Sequence, residues 1–222
     1  MNAKLHQRRY SLFLFSFILM LFGDIVIKPA GGYAMQTALI LQNMLFSLLL
    51  FRNKHRIKAL IISVLILLAA FSRIYQQIHP DFTGYVFLLI YMVYFLMVSF
   101  RIYIDLLFNK EWGFETISAA FSGYIMLGMV FSLLFITMGA SGAFKGPEGV
   151  VPSSDYLYFS FVTLLTIGYG DITPVTETAK KMVVLLGLLG NFYTVFVIGI
   201  IIGKFLHWQK SEPEEENDIA GN

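Results

Sequence analysis

The chain has 222 residues, 57% hydrophobic and 14% charged, with a mean hydropathy of +0.71 and a formal charge of +2. Soluble domains usually carry about a quarter charged residues, so this much apolar surface, with 22 Phe and 12 Tyr, needs lipid as its solvent. The absence of cysteine excludes a disulfide framework, a cysteine-based zinc site and a thiol nucleophile, and the weak, dispersed charge excludes a nucleic-acid footprint.

In chain order, apolar runs of membrane-spanning length cover Tyr10 to Ile27, Ala34 to Phe51, Ile57 to Tyr75, Phe82 to Leu107, Thr116 to Met138 and Ala179 to Leu206. The basic start before the first run also fits a signal peptide, but the run exceeds a normal apolar signal region and its removal would reverse the charge bias. Lys4, Arg8, Arg9, Arg52, Lys54, Arg56, Lys58, Arg101, Lys110, Lys204 and Lys210 fall on one side of a six-span path. Lys28, Arg73, Lys145, Lys180 and Lys181 fall on the other. The positive-inside rule then predicts a multi-pass cell-membrane protein with both termini cytoplasmic. The acidic end, from Ser211 to Asn222, reads as a solvated coil.

Between the fifth and sixth runs lies Tyr156 to Ile167, 12 residues that as a helix reach only about 18 Å. A hydrocarbon core is about 30 Å thick, so this segment is expected to be re-entrant, dipping in from outside where protein or water surrounds its backbone. Ser153, Ser154 or Asp155 can cap it. Thr166 to Gly170 cannot continue the helix well, because two of its five residues are glycines that favour extended or left-handed backbone.

The run Thr163-x-x-Thr166-Ile167-Gly168-Tyr169-Gly170-Asp171 resembles the selectivity filter of potassium channels together with its pore-helix threonine. The resemblance implies that backbone carbonyls of Thr166, Ile167, Gly168 and Tyr169 replace the water shell of K+, with Gly170 completing the filter. It further implies that Asp171 sits at the outer mouth, and that Thr163, Tyr158 and Phe159 support the filter, the two aromatics by packing against the Tyr169 ring. Potassium enters as the permeant ion; no cofactor, nucleic acid or small-molecule substrate is implied. One chain supplies one filter strand, so the family implies a homotetramer in membrane lipid.

The expected fold is all-α: six transmembrane helices plus a re-entrant pore helix. Residues 1–115 are read as a four-helix peripheral domain, 116–206 as the pore domain and 207–222 as a short acidic tail. In the sixth run Asn191, Thr194, Ile198 and Ile202 share a helical face that would line a cavity below the filter. Gly190 reads either as a hinge or as a close-packing position; Gly199 and Gly203 read as small-residue packing.

Before residue 115 the resemblance is topological only, closest to small bacterial six-span channels without a charged fourth helix. Voltage-gated relatives carry arginines at every third position there, whereas Phe82 to Leu107 has only Arg101, with Asp105 following. One charge moved through 100 mV is worth about 2.3 kcal/mol, too little for steep gating. Asp24 and Arg73 read as a structural pair or, alternatively, as sensing groups. No large cytoplasmic nucleotide or calcium domain is expected after the sixth run.

The leading reading is thus passive, selective potassium conduction, with a voltage-modulated channel as a variant. Gly168-Tyr169-Gly170-Asp171 also fits the GxGD pattern of intramembrane aspartyl proteases, but those need a second aspartate in a Tyr-Asp pair, and none occurs. Gly139-Ala140-Ser141-Gly142 fits rhomboid-like serine proteases, yet Ser141 leads into a polar loop and His207 lies a membrane thickness away. The internal repeats of a secondary transporter are not evident.

Overall fold

The computed structural model describes residues 8–26, 32–51, 56–76, 80–108 and 113–211. The side chains of Asp24 and Arg73, and the acidic tail beyond Ser211, lie outside the described residues. Seven helices and two very short strands are present among those described: α1 (Arg9–Val26), α2 (Gly32–Phe51), α3 (Arg56–Gln76), α4 (Pro80–Phe108), α5 (Phe114–Gly139), β1 (Phe144–Lys145), α6 (Asp155–Leu164), β2 (Thr173–Pro174) and α7 (Glu177–Ser211). The fold is mostly helical, as the composition requires.

Within the described residues, Val86–Phe108, Phe114–Gly139 and Glu177–Leu206 are long and apolar enough to cross a membrane. Arg9–Gly23, Thr37–Phe51 and Ala59–Ser72 form shorter apolar helices. Each helix from α1 to α5 packs against the next, and α1 also lies against α5. Their shared core is aromatic: Phe13, Phe17, Tyr91, Tyr94 and Phe95 are buried together with Met44, Ile62, Ile102 and Met126. A neutral polar knot sits inside it, where the Asn43 amide donates to Ser16 (2.7 Å) and the Tyr94 hydroxyl to Asn43 Oδ1 (3.1 Å). Buried polar groups of this kind persist in an apolar interior because they satisfy one another.

At the other end of α1, Asp105 on α4 accepts from three groups. Arg101 one turn earlier approaches to 2.9 Å, Arg9 to 3.3 Å, and the Tyr10 hydroxyl also donates. Beside this cluster, Glu115 of α5 closes the amino end of α1. Its carboxylate accepts from the Tyr10 N–H (2.8 Å), the Ser11 N–H (3.3 Å) and the Ser11 hydroxyl. The first N–H groups of a helix have no partner within it, and a carboxylate there satisfies them and opposes the helix dipole.

The short helix α6 lies against α5 because small side chains let it come close. The Ser160 hydroxyl donates to Gly128 O (2.7 Å), and a Cβ on Gly128 would fall 2.8 Å from the Phe161 ring. A second aromatic core forms around α6 from Phe135, Phe144, Tyr156 and Phe159, with ring centroids 5.3–5.4 Å apart. The loop after α5 then returns to pair with the segment after Asp171: Phe144 faces Pro174 and Lys145 faces Thr173 in an antiparallel ladder, extended by Val175 N–H to Ala143 O (2.9 Å).

Candidate functional site

The segment expected to be re-entrant is a helix of 10 residues, about 15 Å long, between two helices long and apolar enough to cross a membrane. No hydroxyl caps its start: Ser154 occupies the N-cap position with helical backbone, and its Oγ donates instead to the Asp155 carboxylate (2.9 Å). The expected side-chain cap is therefore absent: a capping residue normally has non-helical backbone, and that of Ser154 is already helical.

The far end is built more elaborately. The last four carbonyls of a helix lack helical partners. Here Phe161 O accepts from Leu165 N–H (2.8 Å), Thr163 O from Thr166 N–H (3.0 Å), and Val162 O from both Ile167 (2.9 Å) and Gly168 (3.3 Å). The fourth, Leu164 O, accepts from the Tyr124 hydroxyl of α5 (2.9 Å). The chain leaving α6 is thus tied to the helix by its own amides.

Beyond this point the sign of φ alternates. Thr166 is at +60°, Gly168 at +59° and Gly170 at +78°, while Ile167 and Tyr169 between them are not in the positive region. In an ordinary strand successive carbonyls point to opposite sides; alternating left- and right-handed residues turn them toward one side. Glycine adopts positive φ readily. Thr166 does not, since a β-branched residue there is an outlier costing about 1–3 kcal/mol. Its conformation was not legible in the sequence, which marked only the glycines. The amide bond to Thr163 and those of Ile167 and Gly168 to Val162 hold it in place.

The outer return is fixed by Asp171. Tyr158, nearly two turns before the end of α6, donates its hydroxyl to Asp171 Oδ2 (2.8 Å). Phe159 faces the other way, into the rings of Phe135 and Phe144. The Tyr169 ring is 69% exposed within one chain, and it lines a cavity of about 280 Å³ with Phe159, Val162, Thr163 and Val183. Within a single chain Tyr158 is engaged by Asp171, and Phe159 packs on the rings of Phe135 and Phe144.

On α7, Asn191 and Thr194 are exposed on the single chain, as are Ile198 (51%) and Ile202 (52%). Thr194 also donates to Gly190 O (2.9 Å), its backbone partner one turn earlier. Gly190 is buried, and a Cβ there would lie 2.6 Å from Leu164 Cδ1 at the end of α6. Close packing therefore gives this glycine a reason independent of bending. Ser141, the residue of the serine-protease pattern, is exposed in the loop after α5 and donates to Met138 O (2.7 Å).

Sequence reasoning missed Tyr124, Ser160 and the β1–β2 pairing. A tyrosine in the middle of an apolar run is the one signal that could have pointed to the first, since a buried phenol usually finds an acceptor.

Comparison with known proteins bears on the second half of the chain. A family described as "Ion channel" matches residues 121–207. Two pore potassium channel c of Oryza sativa subsp. japonica is 36% identical over 85 residues, covering 35% of this chain and 19% of that protein. Two-pore potassium channel 4 of Arabidopsis thaliana is 29% identical over 108 residues, covering 46% of this chain and 38% of that protein. The matched segments thus span well under half the length of these relatives. No solved structure matches significantly. The family match contains α6, the alternating segment and most of α5 and α7. Residues 121–207 are accordingly similar to a family of ion channels, which is not a family of enzymes.

Proposed function

We propose that this chain is one subunit of a potassium-selective channel, in which four copies place Thr166 to Gly170 around a common axis. The observation that carries the reading is the alternation of φ along Thr166–Gly170 directly after a half-buried short helix. A backbone of that form supplies successive carbonyl oxygens to one side, and rings of carbonyls can substitute for the hydration of K+. Thr166, Ile167, Gly168 and Tyr169 would coordinate the ion, Asp171 would raise cation concentration at the outer mouth, and Tyr158 and Thr163 would hold the loop in shape.

Assembly is supported by the surface of α7. Only 17% of its span is buried within the chain, against 67% for α5, and Phe192, Val195 and Phe196 are among its exposed side chains. Neighbouring subunits would cover part of this face, leaving Asn191, Thr194 and Ile198 toward a water-filled cavity. The six apolar runs would supply six spans, and the charge distribution supports cytoplasmic termini. The names of the plant relatives agree with potassium as the ion.

Conduction would be passive and without steep voltage dependence, because Arg101 is paired with Asp105 on its own helix. Asp171 pairs with a phenol, which suits a structural mouth residue better than a catalytic dyad of two carboxylates. The test is flux through purified full-length protein in liposomes under a potassium gradient, compared with sodium. Potassium-selective uptake blocked by barium is expected; equal passage of both ions, or none, refutes the reading.

A further inference from the structure

Three of the four terminal carbonyls of α6 are held by amides of the segment they introduce, so they move with it. Leu164 O alone is held from another element, by the Tyr124 hydroxyl of α5 at 2.9 Å. Leu164 is 3% exposed and lies two residues before Thr166, whose backbone is already strained. Released from its donor, this carbonyl would be left unsatisfied in a region of low dielectric or would rotate toward the ion path; either outcome moves the peptide on which Thr166 depends.

Tyr124 is itself held in place. Its ring lies 5.7 Å from that of Tyr193 on α7, whose hydroxyl donates to Ala120 O (2.6 Å), one helical turn before Tyr124. The same Tyr193 ring lies 5.8 Å from Tyr103 of α4, which donates to Gly123 O (3.1 Å). Three tyrosines therefore fill the seam between α4, α5 and α7, and only one of them reaches α6.

We infer that Tyr124 is a positioning residue for the inner end of the filter, acting through Leu164 O and not by touching the ion. The inference rests on the channel reading above. In full-length protein reconstituted into liposomes, Tyr124→Phe keeps the ring and removes the donor. Tyr103→Phe removes a similar bond to an α5 carbonyl and leaves α6 untouched. The readouts are the K+/Na+ permeability ratio and the concentration of Ba2+ that halves K+ flux.

Tyr124→Phe is expected to lower the permeability ratio and shift half-block by about threefold to tenfold, with Tyr103→Phe near wild type. Unchanged values in Tyr124→Phe, or an equal shift in both variants, overturn the inference while leaving the channel intact. A wild type that passes no potassium overturns the channel reading instead, and this inference with it.

Discussion

The hydroxyl of Tyr158 donates to Asp171 Oδ2 across 2.8 Å, joining the outward face of α6 to the residue that closes the alternating segment. Thirteen positions separate the two in sequence, and everything between them forms either the helix or the proposed ion path. This bond should set how well the outer mouth keeps its shape. Tyr158→Phe and Asp171→Asn are each expected to reduce sustained potassium flux several-fold, and the double variant no further than the worse single one, since the two share one interaction. Additive losses in liposome flux would refute a shared role.

Gly168→Ala should abolish selective conduction without preventing membrane insertion. An added Cβ meets no atom of its own chain within 4 Å, so the cost is conformational: at φ +59° an alanine is disfavoured by about 1–2 kcal/mol. Carbonyl orientation would change before the fold does. Unchanged K+ over Na+ permeability would count against the proposed filter.

Gly190→Ala distinguishes packing from bending. A methyl there would sit 2.6 Å from Leu164 Cδ1, and overpacking of this sort costs about 1–3 kcal/mol. Detergent-solubilised protein should lose thermal stability, and Leu164→Ala in the same chain should restore part of it. A stable Gly190→Ala with altered opening alone would instead favour a hinge.

Asp105→Asn should destabilise the protein more than Arg101→Gln. The carboxylate pairs with both Arg9 and Arg101, and all three side chains are at most 20% exposed. Removing it strands two guanidinium groups, at a cost of about 3–5 kcal/mol. Unfolding in detergent would rank the variants. With Arg101 so engaged, currents recorded between about −100 and +100 mV should show an apparent gating charge below about one per subunit. A steep voltage dependence would refute this.

Much of the segment after α6 was legible because its conformation is a property of the backbone, which glycine spacing reports directly. Gly168 and Gly170 announced positive φ, and the short run before them announced a helix too brief to span. The observed α6 ends at Leu164, three residues before the apolar run does, because Leu165 and Thr166 already turn to bond back onto Phe161 and Thr163. What escaped was held by contacts between distant residues. Nothing local marks Thr166 as left-handed, Glu115 as a partner of Ser11, or Phe144 as facing Pro174. Tyr158 and Phe159 are adjacent on one helix, yet helical geometry sends their side chains in different directions, one to Asp171 and one to α5.

The carboxylate of Glu115 has a consequence for how the molecule can be divided. Sequence composition draws a boundary at this residue, yet its side chain finishes the first helix, more than a hundred positions upstream. Severing the polypeptide there would leave the leading amides of α1 bare. Heating the intact protein should accordingly melt both halves in a single cooperative step.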